Sequence, residues 1–126
     1  MTPGSHGGTM IGNPLASAAG LAFCKVLFGE NLAQRAANLG EQILAEVTPW
    51  VESVPCVKQV RGLGLMIGIE LDRPGADAVT RCEERGVLLN CTVGNVVRML
   101  PPLNVLEDEV ATVLRVLREE LEREGA

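Results

Sequence analysis

The sequence predicts an α+β fold in which helices pack on one face of a small, largely antiparallel sheet. Two observations predict it. Apolar residues recur at helical spacing in some segments and crowd into short β-rich runs in others, and glycines and prolines divide these segments into the order α-α-β-β-α-β-β-α. At 126 residues the chain is long enough for one domain with a core of its own.

The first predicted helix covers residues 14–28. Asn13 is a favourable N-cap, Pro14 suits the first helical position, and Gly29 closes the helix. Its sequence is apolar nearly all round, with Lys25 as its one charge. A helix without a polar face has neighbours on several sides, so we expect another domain or subunit to supply some of them.

The remaining predicted helices are amphipathic. The second follows Asn31 and ends around residues 49–55, the third covers 77–85 and stops at Gly86, and the last has an acidic first turn, 107–109. We expect the glutamate pairs at 83–84 and 119–120 to lie on solvated helix faces. The positions expected to be buried are Leu32, Ala36, Leu39, Ile43 and Val47 in the second helix and Val110, Val113, Leu114, Leu117 and Leu121 in the last.

Four short runs predict the strands of the sheet. Residues 57–61 and 65–71 form a pair joined by a glycine bend, and residues 87–91 and 96–100 form two more strands. The two prolines at 101–102 end the sheet, because proline cannot donate a hydrogen bond to a neighbouring strand.

Composition excludes several classes of function. The net charge of −5 leaves no basic stripe for nucleic acid. The sequence contains neither an apolar run of membrane-spanning length nor a signal peptide, so we expect a cytoplasmic protein without a membrane partner. The four cysteines form no C-x-x-C pair, and we interpret them as reduced, mostly buried thiols. His6 has no second ligand at metal spacing, so no metal site is expected.

The first residues form a glycine-dense loop that runs directly into the apolar helix. Residues 3–9 read PGSHGGT. Loops of this kind bring backbone N–H groups close to an anion such as a phosphate, because glycine has no Cβ to keep the anion away. The loop has a scaffold on one side only, which predicts that the chain is part of something larger.

Arg98 is the one charge in the otherwise apolar run 96–100. On the residues alone, the favoured interpretation is an edge-strand charge that discourages sheet-to-sheet aggregation. The alternative is a guanidinium held rigidly on a strand to bind a carboxylate in bidentate fashion. Arg61 admits the same two interpretations, and for it we keep the edge-strand one.

Three segments together resemble the class III (subgroup II) pyridoxal-phosphate aminotransferases. They are residues 5–16, SHGGTMIGNPLA; residues 60–71, VRGLGLMIGIEL; and GVLLN at 86–90 followed by NVVRMLPPLN at 95–104. They occur in the order of the family, and the resemblance covers essentially the whole chain. Within the family it is greatest to the acetylornithine and ornithine enzymes, which implies transfer of an amino group from an amino acid to 2-oxoglutarate and a place in arginine biosynthesis.

The resemblance also implies roles for individual residues. Thr9, with Gly8, falls where the family contacts the cofactor phosphate of the other subunit of a homodimer, and Arg98 falls where it binds the substrate carboxylate. Residues 1–13 would then be a cofactor-phosphate loop and residues 14–126 the C-terminal small domain of an aminotransferase.

The family's cofactor lysine has no counterpart here. Lys25 and Lys58 are the only lysines, and neither lies in a small-residue loop of the family's kind. We therefore expect no catalytic residue in this chain, a separate large domain that carries the lysine, and no transaminase activity from this segment alone. The alternative hypothesis is a free-standing, non-catalytic α+β binding or regulatory module derived from the family.

Overall fold

The computed structural model describes residue 4 and residues 7–123. The elements of that part are α1 (Pro14–Gly29), α2 (Leu32–Val47), α3 (Trp50–Ser53), β1 (Val57–Leu63), β2 (Met66–Leu71), α4 (Ala76–Glu84), β3 (Asn90–Thr92), β4 (Val96–Met99) and α5 (Glu107–Arg123). The chain divides into two compact units, Met1–Ala33 and Gln34–Ala126. The predicted α+β class is confirmed.

The second unit holds one four-stranded sheet with the strand order β1-β2-β4-β3. All three pairings are antiparallel, as predicted. β1 and β3 are the edges, and β4 lies between β2 and β3. This strand order determines whether each charged residue of the sheet lies on an edge strand or on an inner strand.

One face of the sheet and the apolar stripes of the helices form the core. Alternation along β2 buries Ile67, Ile69 and Leu71, and these share one apolar cluster with residues of α2, α4 and α5. The predicted α2 stripe is buried. So is the predicted stripe of α5, with Val113 only half-buried. Within the described residues of the second unit, helices therefore cover one face of the sheet and leave the other open.

The structure differs most from the predictions at two elements, while the ends of β1, β2 and β4 differ by one or two residues. The short helix α3 occupies residues that we expected to be the end of α2, and it buries Trp50. β3 begins at Asn90 and not at Val87, because Val87 completes the cap of α4: the Val87 N–H donates to Cys82 O and the Gly86 N–H to Glu83 O, both at 2.9 Å. Gly86 adopts φ +80°, so its predicted role in ending α4 is confirmed.

Glu120 corrects a sequence expectation. We expected it on a solvated face, but it is 3% exposed. Arg85 Nη1 donates to one of its carboxylate oxygens at 2.7 Å and Arg81 Nε to the other at 3.0 Å. The hydrogen bond from Arg85 is the main cause that lowers the pKa of Glu120. The pairs join α4 to α5, and burial beside this carboxylate raises the pKa of the Cys82 thiol to about 11.

In the first unit, α1 begins as predicted. Asn13 Oδ1 accepts a hydrogen bond from the Ala16 N–H at 2.9 Å. No residue of α1 is buried, and its large apolar side chains, such as Phe23 and Phe28, are exposed. Among the described residues, no single helix has the length and composition to cross a membrane; only α1 taken with the segment Leu32–Ser53, as a bent pair, meets that test.

Candidate functional site

The candidate site lies on the face of the sheet that the helices leave open. Because side chains alternate across a strand, burial of Ile67 and Ile69 on one face places Gly68 and Glu70 on the other. The same alternation in β4 buries Val97 and Met99 and turns Arg98 to the open face, where it is half-buried.

Strand register arranges four residues of the open face in one row. Arg61 of β1 pairs with Gly68 of β2, and Gly68 pairs with Arg98 of β4. Asn90 of β3 pairs with Arg98 on its other side. Side chains directly opposite each other on antiparallel strands are close neighbours, so Arg98 lies between an exposed amide and a glycine.

A groove of about 310 Å³ runs along this row. Its lining residues are Arg61, Gly62, Leu63, Met66, Ile67, Gly68, Val96 and Arg98. Gly68 keeps the floor open, because a Cβ at this position would come within 3.3 Å of Val96 Cγ1 and stand between the two arginines. The groove is apolar apart from the two guanidinium groups, which makes it suited to an anionic ligand of small size.

Arg98 carries an uncompensated charge. Its strand is an inner strand of the sheet, so the interpretation as an edge-strand charge is wrong. Within residues 7–123, its side chain makes no hydrogen bond or ion pair. A half-buried guanidinium without a partner among the described residues has donors available for an external carboxylate, with which a guanidinium can form two parallel hydrogen bonds.

Arg61 differs from Arg98 in the position of its strand and in the partners of its guanidinium. It lies on the edge strand β1, which agrees with the interpretation we kept for it. Its Nη1 contacts Glu70 Oε2 at 2.6 Å and donates to Gln59 Oε1 at 3.0 Å. The carboxylate of Glu70 neutralises this guanidinium, which leaves Arg98 as the open cation of the groove.

The predicted phosphate-contacting residues lie in the first unit. Gly8 and Thr9 are exposed and belong to a turn closed by a hydrogen bond from the Ile11 N–H to Gly8 O at 3.1 Å. A Cβ at Gly8 would lie 3.1 Å from the end of the Ile11 side chain, which is exposed and can move away. An exposed threonine hydroxyl beside glycine backbone is a donor set that fits a phosphate. The predicted loop residues Ser5 and His6 lie outside the described residues.

Sequence reasoning missed three residues of the open face. Gly68, Glu70 and Asn90 were not among the predicted site residues, although all three lie in or beside the row that contains Arg98. A glycine within an apolar strand is a signal of close approach by another group and pointed to Gly68. Asn90 and Glu70 gave no comparable signal, because their relation to Arg98 depends on strand register.

Sequence similarity identifies the family. The sequence model of aminotransferase class III matches residues 1–121. The chain belongs to this family. Acetylornithine aminotransferase from Methanothermobacter thermautotrophicus is 43% identical over 115 residues, which cover 91% of this chain and 30% of the relative. Ornithine aminotransferase 1 from Staphylococcus saprophyticus is 43% identical over 123 residues, which cover 98% and 31%.

Solved structures of aminotransferases share the fold of this family member. Acetylornithine aminotransferase from Elizabethkingia anophelis has a TM-score of 0.85 at 30% identity and is matched over 96% of this chain and 31% of its own. Ornithine aminotransferase from Toxoplasma gondii, whose active site holds PLP at partial occupancy, has a TM-score of 0.84 at 34% identity, over 97% and 30%. This aminotransferase chain spans about 30% of the length of the curated relatives it matches.

Proposed function

We propose that the chain is the C-terminal part of a PLP-dependent aminotransferase of the acetylornithine or ornithine type, in which Arg98 binds the carboxylate of the amino acid and of 2-oxoglutarate. The observation that carries this proposal is the half-buried, uncompensated guanidinium of Arg98 beside the groove. The identity of 40–45% to acetylornithine aminotransferases over most of the chain supports the substrate type.

The sheet gives Arg98 a fixed geometry. β4 is hydrogen-bonded to β2 on one side and to β3 on the other, so its backbone does not move to meet the ligand. For 2-oxoglutarate, a bidentate pair between a fixed guanidinium and the carboxylate sets the position of the adjacent keto carbon. In the complete enzyme, that keto carbon receives the amino group.

The first unit supports the cofactor part of the proposal. Residues 1–13 would be the cofactor-phosphate loop, with Gly8 and Thr9 donating to the phosphate across a homodimer interface, and residues 14–126 the C-terminal domain. PLP, when bound, supplies the carbonyl group that takes up the amino group of the donor and later releases it to 2-oxoglutarate. The cofactor lysine belongs to the part of the enzyme that this chain does not include, so we expect no activity from this segment alone. We also expect the whole enzyme to be cytoplasmic.

The exposed face of α1 argues against the free-standing module. α1 contains no buried residue and exposes Leu15, Leu21, Phe23 and Phe28. An exposed apolar surface of this kind is typical of a site that another domain or subunit covers. The remaining part of an aminotransferase, or its second subunit, provides such a cover.

A chimeric enzyme tests the role of Arg98. The chain replaces the matching segment of Bacillus subtilis acetylornithine aminotransferase, to which it is 41% identical over 125 residues. Loss of two charge-assisted hydrogen bonds amounts to roughly 3 kcal/mol, so Arg98→Ala is expected to lower kcat/KM for 2-oxoglutarate about a hundredfold. Arg98→Lys should retain part of this activity, because a lysine keeps the charge without the bidentate geometry.

The matched control is Arg115→Ala, which removes the same charge from the exposed surface of α5, where Arg115 pairs only with Glu119 among the described residues. An unchanged kcat/KM in Arg98→Ala, or an equal loss in the control, would contradict the proposed role.

A further inference from the structure

We propose that Arg61 is a positioning residue for the carboxylate site: by binding Glu70 at the β1 edge of the groove, it keeps Glu70 from occupying Arg98. The inference rests on the proposed function of Arg98 as the carboxylate-binding group. It concerns a second arginine that the substrate does not need to touch.

Register places Glu70 between the two arginines. Gly68 pairs with Arg61 on one side and with Arg98 on the other. Glu70 is two residues along β2 on the same face, where it pairs with Gln59 and Val96. It is therefore a diagonal neighbour of both arginines, and diagonal neighbours about 7–8 Å apart are within reach of long side chains.

The structure resolves this competition in favour of Arg61. The Glu70 carboxylate contacts Arg61 Nη1 at 2.6 Å, while Arg98 has no partner in the described part of the chain. Gly68 has no side chain to separate Glu70 from either arginine. Glu70 is also the one acidic residue of the four described strands, so it is the internal anion best placed to compete with a ligand.

Removal of Arg61 releases Glu70. Its carboxylate then gains by turning to Arg98, since a carboxylate beside a half-buried guanidinium is favoured over one without a partner. A ligand carboxylate must displace it. Ion pairs at partly exposed sites are modest in strength, so we expect the dissociation constant for an anionic ligand to rise about fivefold.

The test is a double-mutant cycle on the full 126-residue chain, with glutarate as an unreactive dicarboxylate. Binding is followed by NMR through the Nε–Hε signal of Arg98, which is assigned by its absence in Arg98→Lys. Arg61→Ala is expected to weaken binding about fivefold. The double variant Arg61→Ala with Glu70→Gln should bind glutarate as the wild type does. Glu70→Gln alone should change the dissociation constant by less than twofold.

The cycle separates positioning from the simple loss of a positive charge. If Arg61 acts only through its electric field, Glu70→Gln strengthens binding by the same factor with and without Arg61, and that additivity would overturn the inference. Arg61→Lys should bind glutarate as the wild type does, because lysine keeps the pair with Glu70. Arg115→Ala, which removes a charge from α5, should also leave binding unchanged.

The ligand-free spectra distinguish this inference from the proposed function. Arg61→Ala is expected to shift the Arg98 Nε–Hε signal, and the added Glu70→Gln to return it to its original position. If neither substitution shifts the Arg98 Nε–Hε signal, the positioning role is refuted, regardless of the result of the glutarate titration. If the signal shifts as expected but the wild type does not respond to glutarate, the carboxylate-binding role of Arg98 fails, and with it the claim that Arg61 protects a ligand site.

Discussion

Replacement of Gly40 by alanine tests the contact between α2 and the turn that ends the groove. A Cβ at Gly40 would lie 2.5 Å from the carbonyl carbon of Gly64 and 2.8 Å from its Cα, where ordinary contact begins at 3.4 Å. The helix and the β1–β2 turn must then separate by about 1 Å, because the opposing atoms are backbone and cannot rotate away. Leu63 and Met66, which flank this turn, line the groove.

The expected free-energy change follows from two opposing effects. Overpacking against backbone costs about 3 kcal/mol, at the upper end of the usual range. The higher helix propensity of alanine stabilises the folded state by about 1 kcal/mol and offsets part of this cost. Gly40→Ala is therefore expected to lower the free energy of unfolding by about 2 kcal/mol.

Urea denaturation followed by the fluorescence of Trp50 measures this change. Trp50 is the only tryptophan and is 2% exposed, so its emission reports the unfolding of the second unit. The control is Glu41→Ala at the next position of α2, where the side chain is exposed and makes no hydrogen bond or ion pair among the described residues, so no destabilisation is expected. Equal stability of the two variants would refute the reasoning that the Gly40–Gly64 approach excludes a side chain.

Two further predictions concern stability. The folded pKa of Glu120 lies below its ordinary 4.5, chiefly through the hydrogen bond from Arg85, so the stabilisation it provides is present above pH 4.5 and is lost as the pH falls through the lowered pKa. Glu120→Gln should lose about 2 kcal/mol at pH 7 and show a shallower loss on acidification, as measured by urea midpoints. Val93 is 92% exposed and adopts φ +55°, a left-handed backbone conformation that is strained for a β-branched residue and that asparagine tolerates. Val93→Asn should therefore raise the free energy of unfolding by about 1 kcal/mol. An unchanged or lower melting temperature would contradict this.

The sequence predicted the fold well where a local signal was strong. Asn13, Pro14 and Gly86 mark helix ends through their own backbone and side-chain chemistry, and the structure confirms each. The boundaries of β3 were wrong because the cap of α4 takes up Val87, which has the composition of a strand residue. Glu120 was misplaced because its partners, Arg81 on α4 and Arg85 directly after it, lie 39 and 35 positions away in the chain.

For the candidate site, the sequence alone determined that a single arginine stands in an apolar strand and that the chain resembles a class III aminotransferase. It did not determine whether that strand was an edge, nor which residues share its face. Strand order makes β4 an inner strand, and register puts Gly68 and Asn90 beside Arg98 and makes Glu70 a diagonal neighbour of both arginines, of which it contacts Arg61. The physical reason is that spacing along one strand fixes which face a side chain takes, whereas its neighbours across the sheet depend on pairing between distant segments.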